Sequence, residues 1–286
     1  MRTGGWLSAK KYVFRQNGNC FPIIVLLKWE SLLAVIVKFR SVILCFITAV
    51  VITALCLSAY YSGAYAVWYG NVPGRLPIYS VEREEKLVSI SFDCAWGVDH
   101  TDDILKALRV GEVKATWFMV EFWTEKYPEY VRKIDGAGHE IGTHSATHSY
   151  MSKQNAEEIR LELSTSSQAI EDITGKKVEL FRPPYGDYDD ELISTAAEEG
   201  YYSIQWDVDS LDWRDLSATD IAMRVINGVR NGSIILMHNN GLHTAEAVPI
   251  IIETLKNRGY TFVPIGELIY RENYTINVEG RQVPLS

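Results

Sequence analysis

Asp93 and the pair His144 and His148 are the residues of this 286-residue chain best suited to chemistry. Asp93 follows the alternating, β-rich run Leu87-Val88-Ser89-Ile90-Ser91-Phe92, so the sequence predicts a strand that delivers a carboxylate at its C-terminal end. The two histidines stand four apart, a spacing that lets both imidazoles face one point if the backbone turns once, as metal-binding pairs do. A lone H-x-x-x-H arises readily by chance. This one lies in Gly138-His139-Glu140-Ile141-Gly142-Thr143-His144-Ser145-Ala146-Thr147-His148, a stretch punctuated by glycine, poor in apolar residues and unlike a buried helix face. A carboxylate and two imidazoles make a site for a divalent ion and its bound water.

Such a site needs elements to gather it. Beyond residue 86, strand-like stretches at 87–92, 114–119, 139–141, 178–182, 201–207, 233–237 and 260–263 alternate with helix-like stretches at 101–109, 127–137, 155–174, 189–199, 219–229 and 245–258. This rhythm predicts an α/β fold with a parallel sheet and crossover helices, and about seven such units suit a distorted, TIM-like (β/α) barrel better than an open two-layer sheet. The polar outliers fall just after the strands: Asp93, then His144 and His148, Arg182, Asp207 and Asp209, and His238. In a (β/α) barrel these ends converge at one rim.

The N-terminal part differs in composition. Residues 1–40 carry seven basic residues against Glu30 alone, which leaves 21 basic and 35 acidic residues in 41–286. So acidic a remainder argues against a nucleic-acid groove. The uncharged run from Ser41, through residues 41–66, is long enough for a membrane-spanning helix of roughly 20 residues. The basic flank before it predicts a cytoplasmic N-terminus, with the acidic domain outside the membrane. A cleavable signal peptide ending at Ala64-Tyr65-Ala66 is the rival; its apolar region would exceed the roughly 7–15 residues usual for such peptides. Residues 21–37 are apolar but broken by Lys28 and Glu30, and read as an interfacial helix rather than a second span. The expected organisation is therefore a basic cytoplasmic segment (1–40), an anchor (41–66), a Gly/Pro-punctuated linker (67–86) and a catalytic domain (87–286). Of four cysteines only Cys94 lies in that last domain, so its fold must rest on core burial rather than on a disulfide.

From about Val88 to Tyr270 the chain resembles the polysaccharide deacetylases of the NodB-homology type, carbohydrate esterase family four. Five short motifs carry the likeness in order: Ser91-Phe92-Asp93-Cys94-Ala95, His144 to His148, Arg182-Pro183-Pro184-Tyr185-Gly186, Asp209-Ser210-Leu211-Asp212-Trp213, and Ile235-Leu236-Met237-His238. Each is weak alone; five with sensible spacing are specific. The variant Ser-Phe-Asp-x-x-Trp-Gly further resembles the membrane-anchored, sporulation-associated branch. The resemblance implies a metal-dependent amidase that removes N-acetyl groups from an amino-sugar polymer, peptidoglycan or a chitin-like chain. It implies that His144 and His148 bind a divalent ion, zinc above all, that Asp93 is the general base, and that Arg182 keeps Asp93 ionised. It implies further that the Tyr185 backbone N–H meets the oxyanion, that His238, its pKa raised by Asp209, protonates the departing amine, and that Trp213 walls the sugar groove.

Cys94 departs from the pattern, standing where the family has the aspartate that completes the metal triad. Three outcomes are open: a thiolate ligand in a Cys-His-His site, a cysteine packed as a small apolar residue with Asp99, Asp102 or water on the ion, or a lost metal site. The last makes the chain a wall-glycan binder on the same fold. The same chemistry would also serve an esterase of O-acetylated polysaccharides. His100, His139 and His243 read as surface or structural residues.

Overall fold

The computed structural model describes residues 6–16, 19–28, 46–53 and 75–285. The chain divides into two units, Met1–Asn71 and Val72–Ser286. In the first, β1 (Trp6–Gln16) and β2 (Asn19–Lys28) pair antiparallel. The interfacial helix expected over 21–37 is thus a strand as far as Lys28, consistent with the β-branched run Ile23-Ile24-Val25; residues 29–37 lie outside the described residues. Within the expected anchor, residues 46–53 are helical and the rest of 41–66 is outside the described residues. Among the described residues no helix is long and apolar enough to cross a membrane.

The second unit is built on one curled sheet. β4 (Leu87–Cys94) is central, flanked by β10 (Ser233–His238) on one side and β5 (Thr116–Met119) on the other, both parallel to it. β6 (Glu140–Thr143), β7 (Leu180–Phe181) and β8 (Tyr202–Ser203) continue in parallel beyond β5. On the other flank, β3 (Ser80–Val81) runs antiparallel to β10, and β13 (Arg281–Pro284) and β12 (Tyr274–Ile276) extend the edge. Just before β3, the Ile78 N–H donates to the Ser203 carbonyl (2.8 Å) and the Ile78 carbonyl accepts from Gln205 N–H (2.7 Å), so the far end of the sheet is tied back toward its start. The expected barrel is realised as a curled, mixed sheet with very short strands at 180–181 and 202–203.

Strand periodicity sorts the side chains. Val88, Ile90, Phe92 and Cys94 of β4, Trp117 and Met119 of β5, and Ile235 and Met237 of β10 pack in one large core with residues of the helices outside the sheet, such as Ile104, Leu108, Ile221, Val225, Ile251 and Leu255. Alternate residues point inward: Phe118 and Ile234 join Ile78, Leu180, Ile204 and Ile265 in a second core. Asp93 and His238 belong to this inner set, and they are register partners on adjacent strands. The long helix α4 (Ala156–Thr174) starts on a capping box between Asn155 and Glu158 and ends at Gly175, whose φ of 68° suits glycine.

Candidate active site

The inner face ends in a polar cluster at the C-terminal rim of the parallel strands. Asp93, 6 % exposed, accepts a hydrogen bond from Arg182 Nη1 at 2.7 Å. Arg182 is fully buried; Nη2 donates to the Gln205 carbonyl (3.2 Å) and the guanidinium lies 4.1 Å from the Phe118 ring centroid. Burial alone would raise the Asp93 carboxyl, but the Arg182 guanidinium, with His144 and His238 nearby, overrides it and holds the group below the usual carboxylate range. Asp93 is therefore ionised at neutral pH and cannot drift, as a base needs.

His144 lies 3.6 Å from the second Asp93 oxygen through Nε2, and its Nδ1 is 2.7 Å from the Arg182 carbonyl. That carbonyl accepts the Nδ1 proton, which leaves Nε2 with its lone pair toward the site. His148 stands beside it with ring centroids 5.0 Å apart, and its Nδ1 is buried without a partner among the described residues. Burial pushes both imidazoles down, His148 to about 4 with help from His144, so both are neutral and available as ligands.

The loop that presents them is strained and braced. Ser145 and His148 take left-handed backbone at φ 72° and 56°, which non-glycine residues hold only when their surroundings dictate it. Glu162, an acid on the inner stripe of α4 between Ile159, Leu163 and Ser166, accepts the N–H groups of Ala146 and Thr147 (both 2.8 Å) and the Thr147 hydroxyl (2.5 Å). The His148 N–H donates to Ser145 Oγ at 3.0 Å. Gly142 lets β6 approach: a Cβ there would meet the Phe118 ring at 2.7 Å and the Leu180 carbonyl at 2.8 Å.

On the opposite flank, His238 donates from Nδ1 to Asp212 at 2.7 Å. Asp212 is fully buried and also accepts the His238 N–H (2.8 Å) and the Thr244 hydroxyl (2.6 Å). Burial works against the imidazolium, yet the Asp212 bond and charge outweigh it, so the pKa of His238 is raised. Asp209 was expected in this role. Its side chain instead accepts Leu211 N–H at 2.9 Å and reaches His238 only as a weaker, more distant charge, because Leu211 turns left-handed (φ 54°) and brings Asp212 round beneath the imidazole.

The other residues singled out by the sequence fall as follows. Tyr185 is left-handed (φ 61°) in the turn after Arg182, with its ring 55 % exposed and 4.6 Å from that of His148. Trp213 is 58 % exposed and so is no core ring. Cys94 lies on the face of β4 opposite Asp93, within the outer apolar core, fully buried and 4.0 Å from the Phe92 carbonyl; burial first, and Asp93 second, push its thiol well above the usual range. A protonated thiol in a dry core is not a metal ligand. Among the described residues no group of three or more His, Cys, Asp or Glu is placed to hold a metal ion. The two imidazoles fit a divalent ion, their lone pairs free and the orphaned His148 Nδ1 lacking any other use; the third protein donor does not. Reasoning from the sequence missed Glu162, whose only signal was an acid within an apolar helical stripe, and Asp212, which was in view inside the fourth motif.

At the rim of a curled α/β sheet an ionised carboxylate stands beside a positively biased imidazole on the neighbouring strand, with a pair of neutral imidazoles next to it on its other side. That arrangement defines a hydrolase-type acid–base site. The chain belongs to the polysaccharide deacetylase family, carbohydrate esterase family four: the family model described as polysaccharide deacetylase matches residues 80–204. A peptidoglycan-N-acetylglucosamine deacetylase of Bacillus cereus is 32 % identical over 196 residues, covering 67 % of this chain and 92 % of that protein. The uncharacterised protein YlxY of Bacillus subtilis is 33 % identical over 193 residues, 68 % of this chain, which thereby spans 60 % of that protein. The crystal structure of BA3943 from Bacillus anthracis, named a family pseudoenzyme, superposes with a TM-score of 0.66 at 32 % identity, covering 72 % of each chain. A mutant of that protein is described as having restored enzymatic activity.

Proposed function

We propose that this chain is an N-deacetylase of amino-sugar polymers, with peptidoglycan as its substrate, and that it works outside the cytoplasmic membrane. The observation that carries the reading is the meeting of the Asp93–Arg182 pair with the His238–Asp212 pair on adjacent strands, with His144 beside Asp93 and His148 beside His144. Asp93 takes a proton from the attacking water. Arg182 keeps that carboxylate charged and aimed, and the carbonyl of the same residue fixes His144. His238 gives its Nε2 proton to the amine as the amide C–N bond breaks, and Asp212 stabilises the imidazolium beforehand. His144 and His148 would hold a divalent ion, zinc fitting an imidazole pair, which would supply Lewis-acid polarisation of the acetyl carbonyl. The products are acetate and a free amino sugar. The acidic domain beyond the apolar run of residues 41–66, with basic residues before that run, supports an anchored, extracytoplasmic placement.

A second reading rests on one observation, the burial of Cys94 away from the histidines, which leaves the cation short of a protein ligand. On it the domain binds wall glycan without turnover. Acetate release from N-acetylglucosamine oligomers and peptidoglycan, with added zinc, separates the two. The deacetylase reading expects release that Asp93→Asn abolishes while the fold is kept. An Asp93→Asn variant running at the wild-type rate would refute the base; glycan binding with no release by the wild type would establish the second reading.

A further inference from the structure

Asp93 and His238 are register partners near the ends of β4 and β10, and the residue after β10 carries the pairing one step further: the Asn239 N–H donates to the Asp93 carbonyl at 3.2 Å. Its side chain then turns back on the loop that leaves β4. Asn239 is 2 % exposed, and its Nδ2 donates to the Gly97 carbonyl at 2.8 Å and to Thr101 Oγ1 at 3.2 Å, so both amide protons are used. Thr101, fully buried, opens the helix Thr101–Val110. The Gly97 carbonyl accepts a second bond, from Nε1 of the buried Trp123 at 2.8 Å. Gly97 itself is left-handed at φ 66°, and a Cβ there would collide with the Asn240 side chain, so the turn leaving the base lies pressed against the turn leaving the acid. A few residues further on, the Thr244 hydroxyl donates to Asp212, the carboxylate that holds His238.

We propose that Asn239 is a positioning residue for the reacting pair: its buried amide fixes the chain that carries His238 against the chain that carries Asp93, so that base and acid keep a set separation before substrate arrives. This role rests on the deacetylase reading and adds to it a residue that touches neither substrate nor cation and acts through its two neighbours. Backbone pairing does not suffice here. The register of β4 with β10 ends at Asp93 and His238, so beyond them the Asn239 side chain takes over what the ladder does below. A side-chain amide is costly to bury unless its protons are bonded, and here both bonds go to the segment that follows the base. A base working on water and an acid working on the departing amine must both be in place for one reaction, and an ångström of misplacement can cost about a hundredfold in rate.

The test is acetate release from N-acetylglucosamine oligomers by the full chain with added zinc, for the wild type, Asn239→Ala and Trp123→Phe, with thermal unfolding of each to verify the fold. Trp123→Phe is the control, since it removes the other bond to the same Gly97 carbonyl from a residue that has no tie to His238. Positioning requires Asn239→Ala to lower kcat about fivefold or more with KM within about twofold of the wild type, while Trp123→Phe keeps its kcat. A smaller fall in Asn239→Ala, or an equal fall in both variants, would overturn the role and leave the amide a structural tie of the Gly97 turn. Should Asn239→Ala fail to fold, Thr101→Val decides, because it keeps the side-chain volume and removes one of the two acceptors of the amide. A kcat about twofold or more below the wild type at unchanged KM then supports the role, and a wild-type kcat overturns it. If the wild type releases no acetate from any N-acetylated glycan, the deacetylase reading and the role of Asn239 fall together.

Discussion

Asp212→Asn is the sharpest probe of the acid. The side chain is fully buried and accepts three hydrogen bonds, two on one oxygen from His238 N–H and the Thr244 hydroxyl, and one on the other from His238 Nδ1. An asparagine of the same volume keeps the first two by placing its carbonyl there. Its NH2 then faces Nδ1, which can no longer carry a proton, so the imidazole is forced into the opposite tautomer and the imidazolium is disfavoured. Removing a hydrogen bond to a charged group should cost about 1.5–3 kcal/mol of stability. Loss of general-acid catalysis should lower turnover roughly 10²–10⁴-fold. Because the folded pKa of His238 is raised above its unfolded value of about 6.5, the stability it contributes is fully present below that value and is lost as pH rises through the folded pKa. The gap between wild type and variant should therefore be widest in mild acid and shrink as pH climbs. Urea unfolding at a series of pH values, with nitrogen-detected NMR titration of His238, measures both. A His238 titration unmoved in the variant, or a gap that grows with pH, would refute the pairing.

Two further predictions concern the cation and its loop. Because Cys94 is packed in the apolar core, Cys94→Ala should leave zinc affinity unchanged and cost roughly 1 kcal/mol of stability. Peptide-resolved thiol labelling should find Cys94 protected until denaturant is added; rapid labelling in the folded chain, or a collapse of zinc affinity in the variant, would show instead that the thiol reaches the site. Glu162→Gln removes the charge that gathers Ala146 and Thr147, and should lower stability by about 1–3 kcal/mol and weaken zinc binding at His144 and His148. Zinc affinity equal to wild type in a folded Glu162→Gln chain would show that the loop holds its shape without the brace.

The parallel strands and their helices were legible because each long element repeats its period several times. Val88, Ile90 and Phe92 alternate with Ser89, Ser91 and Asp93, and helices such as α4 carry caps that mark their ends. Strands β3, β12 and β13 were not legible: they are as short as β5 to β8 but lie outside the strand–helix rhythm that marked those. Of the three outcomes open for Cys94, strand alternation already favoured the packed cysteine over the thiolate ligand, because it put Cys94 on the Phe92 side of the strand, away from Asp93. Choosing between Asp209 and Asp212 was beyond spacing alone, since the choice depends on a left-handed Leu211 that no propensity favours.

What holds this site together is independent of the residue that breaks the family pattern. Arg182 fixes the base through its guanidinium and one imidazole through its carbonyl, Glu162 shapes the loop of both imidazoles, and Asp212 sets the third. Each is a buried charged group with its hydrogen-bond partners in place, and none of those partners is Cys94. Removing any one would leave a buried charge or donor unmatched, at a cost to the fold itself. The position at 94 has no such tie: its side chain meets an apolar core and one distant carbonyl. The frame can therefore persist with its acid, base and imidazoles in place whether or not a third ligand completes the cation. That is the condition under which a substitution at one position can govern turnover while the fold stays as it is.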